Sequence, residues 1–210
     1  MVAITNISEN VEVAANVVKV PENSVHADTR KHWRAWLQKH HSQVEGVWLA
    51  LWKKSSGRVA LTYEEAVEEA LCFGWIDSKP NKLDAQRSRL WFAPRKPGTG
   101  WSRLNKTRVE HLIATRQMAS AGIAKVEAAK ADGSWNALDA IENLEVSDDL
   151  GKVLSQLPLA TLHFEAFPRS AKRSILEWIA NAKTPETRTK RIAETARLAA
   201  VNERANQWRK

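Results

Sequence analysis

Past its first 27 residues the chain switches between two hydrophobic periods. Trp33, Trp36, Leu37 and His40 fall at i, i+3, i+4 and i+7, which is one apolar helix face, and Asp28 is placed to cap it. Gly46 then leads into Val47-Trp48-Leu49-Ala50-Leu51-Trp52, an apolar run of strand length, and Ser55-Ser56-Gly57 turns the chain. Thr62 and Glu65 form a capping box, with Leu61 and Ala66 where a hydrophobic staple sits. The helix that follows points Ala66, Val67, Ala70 and Leu71 inward until Gly74 stops it. Trp75-Ile76-Asp77 leaves as extended chain and Pro80-Asn81 reads as a polar connection. Arg87-Ser88-Arg89-Leu90-Trp91-Phe92 has the partial alternation of a strand that pairs with residues 47–53.

From Ser102 onward the period is helical. Ser102 caps a helix with Val109, Leu112 and Ile113 inward, and a second helix over 120–131 stops at Asp132-Gly133. Ser147 caps another, with Leu150, Val153, Leu154 and Leu157 on one face and Pro158 ending it. Ile175, Trp178, Ile179 and Ala182 repeat the spacing. Thr184-Pro185 then supplies an N-cap and an N1 proline for a last helix running to about Trp208. Residues 1–27, with Val11-Glu12-Val13 and Val17-Val18-Lys19-Val20 ahead of Pro21, read as an extension with room for one strand. The pattern predicts an α+β fold, with a small antiparallel sheet and packed helices in the N-terminal half and a mostly helical C-terminal portion. The expected division is 1–27 as extension, 28–146 as the α+β domain, and 147–210 as a helical portion packed on it.

Composition adds three constraints. Ten tryptophans stand against one tyrosine and four phenylalanines, so most of the large apolar anchors are indoles and some are available to line a site. The net charge of +8 understates the main domain, because residues 1–29 hold one lysine against four carboxylates. Such a field favours phosphate, nucleic acid or an acidic partner, and is equally what a solvated basic surface gives. A single cysteine excludes an internal disulfide. The start lacks the blocks of a signal peptide and no apolar run approaches the roughly 20 residues of a membrane span, so a cytoplasmic protein with no membrane partner is expected.

The candidate chemistry is narrow. Cys72 sits beside Leu71 and Phe73 on an apolar stripe, where a buried inert thiol is favoured over a nucleophile. The six histidines have no metal-ligand spacing, and Glu64, Glu65, Glu68 and Glu69 complement the dipole of their helix without catalysis. No P-loop, dinucleotide fingerprint or nucleophile elbow is present, and neither metal nor cofactor is expected. What remains is a run of arginines among prolines and tryptophans. The expected ligand-binding set is Trp75, Asp77, Arg87, Arg89, Trp91, Arg95, Lys96, Trp101, Ser102 and Asn105. Arginine forks held by rigid neighbours suit a carboxylate or phosphate, and Ser102, as an N-cap, adds helix amides favourable to anions. Asp77 could orient one arginine. The alternative is a structural Asp77–Arg95 ion pair with the tryptophans as core.

Three stretches, Ala70 to Asp77, Trp91 to Asn105, and Ala182-Lys183-Thr184-Pro185-Glu186-Thr187-Arg188-Thr189-Lys190-Arg191-Ile192, resemble the bacteriocin-protection, or YdeI/OmpD-associated, family, from about Thr29 onward. The resemblance implies tolerance of bacteriocins and cationic antimicrobial peptides, with no agreed reaction. It also implies that Gly74, Trp75, Asp77, Pro94, Arg95, Trp101, Ser102 and Asn105 match positions where family members look alike. The expectation is a stress-tolerance protein that binds an anionic small molecule or acidic protein partner. The alternatives are an enzyme using Asp77 and Arg95, or a binder of nucleic acid that is weak and nonspecific.

Overall fold

The computed structural model describes residues 24–207. In chain order its elements are β1 (Ser24–His26), α1 (Arg30–His40), β2 (Val47–Trp52), α2 (Tyr63–Cys72), β3 (Trp75–Lys82), β4 (Arg87–Pro94), α3 (Arg103–Ala114), α4 (Ser120–Ala131), α5 (Asp139–Glu142), α6 (Asp148–Ser155), α7 (Ala160–Ala166), α8 (Arg169–Ala180) and α9 (Pro185–Ala200). The fold is α+β, as the pattern predicts. Two compact units divide it. One takes the residues up to Ala70 together with Ile76–Pro94, and the other takes Leu71–Trp75 together with everything from Arg95 on, including the whole of 147–210.

The first unit is built on a four-stranded sheet in the order β1-β2-β4-β3. β2 and β4 pair antiparallel from Val47 opposite Phe92 to Trp52 opposite Arg87, the pairing expected from their alternation. Ser24–His26 pair in parallel with Trp48–Ala50, so the sheet is mixed rather than wholly antiparallel. Three residues are too few to show a period, which is why this edge strand is not visible in the sequence. The Val-rich stretch from 11 to 20 lies outside the described residues. β3 runs through Pro80 to Lys82 instead of breaking there, because an edge strand tolerates a residue that cannot donate to the ladder.

Leu49, Leu51, Leu90 and Phe92 are buried, and Trp33 of α1 reaches Phe92 with ring centroids 5.3 Å apart. The Trp33 indole donates to the carbonyl of Ala66 at 3.0 Å, tying α1 to α2. The predicted capping box is present: Glu65 accepts from the Thr62 amide at 2.9 Å, and Thr62 accepts from the Glu65 amide at 3.2 Å. α1 is capped by Thr29, which accepts from His32, and not by Asp28, whose carboxylate is taken by the Trp52 indole.

In the second unit, Ser102 caps α3 by accepting from the Asn105 amide, and Val109 and Leu112 are buried, whereas Ile113 is 43% exposed. α4 meets the chain at Cys72 closely. The Ala119 amide donates to the Cys72 carbonyl at 3.1 Å, and a Cβ on Gly122 would stand 2.2 Å from that oxygen. Leu150, Leu154, Phe164, Ile175, Ile179 and Ile192 centre the buried cluster of the later helices. Leu157, expected on the buried face of α6, is 36% exposed because the helix ends at Ser155. α5 and α7 have four and seven residues, too short to carry the spacing by which helices are read from sequence. α9 ends at Ala200, and Trp208 lies outside the described residues. Among the described residues no helix is long and apolar enough to cross a membrane.

Candidate functional site

Arg95 is where the sequence and the structure converge. Its amide donates to the Gly74 carbonyl at 2.9 Å, which fixes the backbone as it leaves β4. Its guanidinium lies over the Trp101 ring with Cζ 3.7 Å from the centroid, and Nη2 donates to the carbonyls of Thr99 at 3.1 Å and Gly100 at 2.5 Å. The residue is 3% exposed, yet Nε and Nη1 have no hydrogen-bond partner among the described residues. An arginine carries five N–H donors, so with Nη2 used three remain buried and unpaired. No carboxylate pairs with it among the described residues. Burial out of water pushes its pKa down to about 10, so it stays cationic at neutral pH.

This arrangement is unusual on energetic grounds. A buried charge without a counter-charge is costly, and buried donors without acceptors add to the cost. Stacking on Trp101 offsets part of it, by roughly 2 kcal/mol for a desolvated cation–π pair.

Arg95 lines a pocket of about 50 Å³ in the second unit. Lys96, Trp101 and Lys125 line it too, together with the Pro97-Gly98-Thr99 turn, Asp132 and Ser134. Asp132 is its one carboxylate and is already engaged, Oδ1 accepting from the Ser134 amide at 2.9 Å and Oδ2 from the Gly98 amide at 3.1 Å. The Ser134 side chain and amide, with the Gly98 amide, hold Asp132 below the usual carboxylate range. Asp132 therefore fastens the turn. The lysine stem of Lys125 rests on Gly74, where a Cβ would come within 2.5 Å of its Cγ, and Gly74 also has φ +75°, so glycine is required twice over.

The expected site residues divide between the units. Trp75, Arg95, Lys96, Trp101, Ser102 and Asn105 belong to the second, and of these Arg95, Lys96 and Trp101 line the pocket. Ser102 and Asn105 serve the start of α3, the Asn105 side chain accepting from Arg108 at 3.1 Å. Trp75 is fully buried. Asp77, Arg87, Arg89 and Trp91 belong to the first unit. The Asp77 carboxylate accepts from the Tyr63 hydroxyl at 2.9 Å. Arg87 pairs with Asp84 at 2.7 Å and lies 5.5 Å from the Trp52 ring, Arg89 lies 4.4 Å over Trp48, and Trp91 meets Trp48 edge-on at 5.2 Å. Asp77 and Arg95 thus each have partners within their own unit.

Sequence reasoning missed Lys125, Asp132 and Ser134. Asp132-Gly133 was legible only as a helix stop, and nothing in the spacing of Lys125 ties it to a residue thirty positions earlier. Cys72 is buried. Among the described residues no three His, Cys, Asp or Glu side chains are placed to hold a metal ion.

The Lys183-to-Ile192 stretch is used for architecture. Thr184 caps α9 and Pro185 occupies its first turn. Arg188 donates to both Asp149 oxygens, at 2.7 and 2.9 Å, and to the Ser147 hydroxyl at 3.1 Å, joining the start of α9 to the start of α6. Arg191 donates to the Trp178 carbonyl and lies over that ring. The Arg188 guanidinium, with the Ser147 hydroxyl, holds the Asp149 carboxyl well below the usual carboxylate range. Its folded value being depressed, the pair contributes above the ordinary value near pH 4 and is lost as the pH falls below it. Arg188→Ala is expected to cost about 1 kcal/mol at neutral pH, the pair being half open to solvent. Urea unfolding should show that deficit shrinking between about pH 4 and pH 2. An unchanged deficit there would mean that the arginine acts through packing.

Residues 143–202 match the family described as bacteriocin-protection, YdeI or OmpD-associated. Residues 25–125, which contain Arg95 and the Trp91-to-Asn105 stretch, match a domain of unknown function, DUF8412. No curated protein and no solved structure matches the chain.

Proposed function

We propose that this chain is a cytoplasmic stress-tolerance protein of the bacteriocin-protection type. It acts by binding the anionic group of a small molecule or acidic protein partner, with no covalent chemistry of its own. The family match over 143–202 supports the bacteriocin-protection type. The observation that carries the anion binding is Arg95, buried, stacked on Trp101, left with unpaired donors on Nε and Nη1, and lining a pocket together with Lys96 and Lys125. Binding nucleic acid through the Trp and Arg side chains of β2 and β4 is the weaker reading, because Arg89 already covers Trp48 and Arg87 is paired with Asp84.

Arg95→Met tests the main reading, since methionine fills similar space without charge. Removing an uncompensated buried cation offsets the loss of its bonds to Thr99 and Gly100, so stability should change by no more than about 2 kcal/mol. Thermal shifts induced in the parent by a panel of anionic metabolites should disappear in the variant. Retained shifts would place the ligand elsewhere. A loss of about 4 kcal/mol or more, with no anion shifting the parent, would make the pocket architectural.

A further inference from the structure

Resting on the anion-binding reading above, we infer that the group taken by the Arg95 pocket is a phosphate monoester carried by a small molecule, in preference to a carboxylate. The first argument is charge. Arg95, Lys96 and Lys125 line the pocket against the single carboxylate of Asp132. Two positive charges are left over. A carboxylate neutralises one of them, whereas a phosphate monoester at neutral pH carries about −1.5 to −2.

The second argument is donors. The Arg95 Nε and Nη1 donors are buried without partners, and Lys125 adds an ammonium with three more. Three terminal phosphate oxygens can take several of these at once, where a carboxylate offers two. Among the described residues Lys125 has no ion pair, although Lys130, on the same helix, pairs with Glu127. The turn at Gly98 is fixed by Asp132, so the mouth of the pocket is already ordered before a ligand arrives.

The third argument is size. About 10–15 Å³ of solvent-accessible cavity space holds one water molecule. A pocket of about 50 Å³ therefore holds a head group and little more, so the remainder of the ligand extends past the Pro97-Gly98-Thr99 turn. Recognition is of the terminal phosphate. The organic part contributes little, which predicts a tolerance for different phosphorylated small molecules.

The position of Lys125 follows from Gly74 and Gly122. Gly122 lets α4 approach the Cys72 carbonyl, and Gly74 leaves room for the lysine stem beside the turn whose carbonyl holds the Arg95 amide. The two cations are thus set by the same short segment, Leu71–Trp75.

Isothermal titration of the full chain with phenyl phosphate, inorganic phosphate, phenylacetate and glutarate tests this. Phenyl phosphate should bind, with inorganic phosphate weaker or equal and the two carboxylates at least about tenfold weaker. Between pH 5.5 and 7.5 its affinity should rise about fourfold, as the dianion fraction of a group with a second pKa near 6 increases. Lys125→Gln, a change on the rim that leaves the core intact, should weaken phenyl phosphate about tenfold and glutarate less. Carboxylates binding as well as phosphates, or a flat pH profile, would overturn the phosphate assignment and leave the anion reading standing. Phosphate binding untouched by both Lys125→Gln and Arg95→Met would place the phosphate site elsewhere and overturn the inference. No binding by any of the four anions would sink both readings.

Discussion

Gly122→Ala is expected to destabilise the protein by about 3 kcal/mol or more, Gly122 being the glycine whose added Cβ would meet the closest neighbour. Helix propensity alone argues the other way, since alanine is favoured over glycine in a helix interior by about 1 kcal/mol. The sign is reversed by contact. A Cβ at this position would lie 2.2 Å from the Cys72 carbonyl oxygen, 2.7 Å from its carbon and 2.8 Å from the Leu71 oxygen. All three are backbone atoms, so no side-chain rotation relieves them. α4 would have to withdraw, breaking the Ala119-to-Cys72 hydrogen bond. Denaturant unfolding of the variant measures the loss, and a stability equal to or above the parent's would mean that α4 does not approach Cys72 as described.

The second large effect concerns Glu69, whose side chain is 3% exposed and accepts from Arg30 at 2.6 Å and Arg34 at 2.7 Å. Arg30 reaches Glu68 as well, at 2.8 Å. Replacing both arginines with alanine leaves a buried carboxylate without either partner and should cost about 3 kcal/mol. Each single replacement leaves one guanidinium on the carboxylate, and should cost about 1 kcal/mol. The expected result is therefore a double-mutant cycle in which the pair loses more than the sum of its parts. Strict additivity would show that water reaches Glu69 once one arginine is gone.

Features written in local patterns were legible in the sequence. The capping box at Thr62 and Glu65 and the alternation in β2 and β4 involve neighbours within a turn or a strand, and both elements form where those patterns place them. The cap of α1 was misread by one residue because Asp28 and Thr29 are both good caps, and only the indole of Trp52, far along the chain, decides between them. β1, α5 and α7 escaped because each is shorter than the window over which a period can be counted.

The candidate site was half legible. The sequence singled out Arg95 and Trp101, but could not show that the arginine would be buried without a carboxylate, which depends on where every other acid goes. It could not show Lys125 either. That residue arrives through the closeness of α4 to the chain at Gly74, and the only trace of this in the sequence is a glycine in the first turn of α4, which reads equally as a weak point.

The five-residue stretch Leu71–Trp75 belongs by its contacts to the second unit, although the strands beginning at Ile76 carry the chain back into the first. A continuous fragment from Arg95 onward would therefore be an incomplete body: the amides of Arg95 and Ala119 would lose the carbonyls of Gly74 and Cys72, and Gly122 would face an empty slot. Shuffling such a unit between proteins, in the laboratory or in evolution, cannot proceed by a single cut and join. Each unit is discontinuous in sequence, so a continuous segment that holds all of one also holds part of the other.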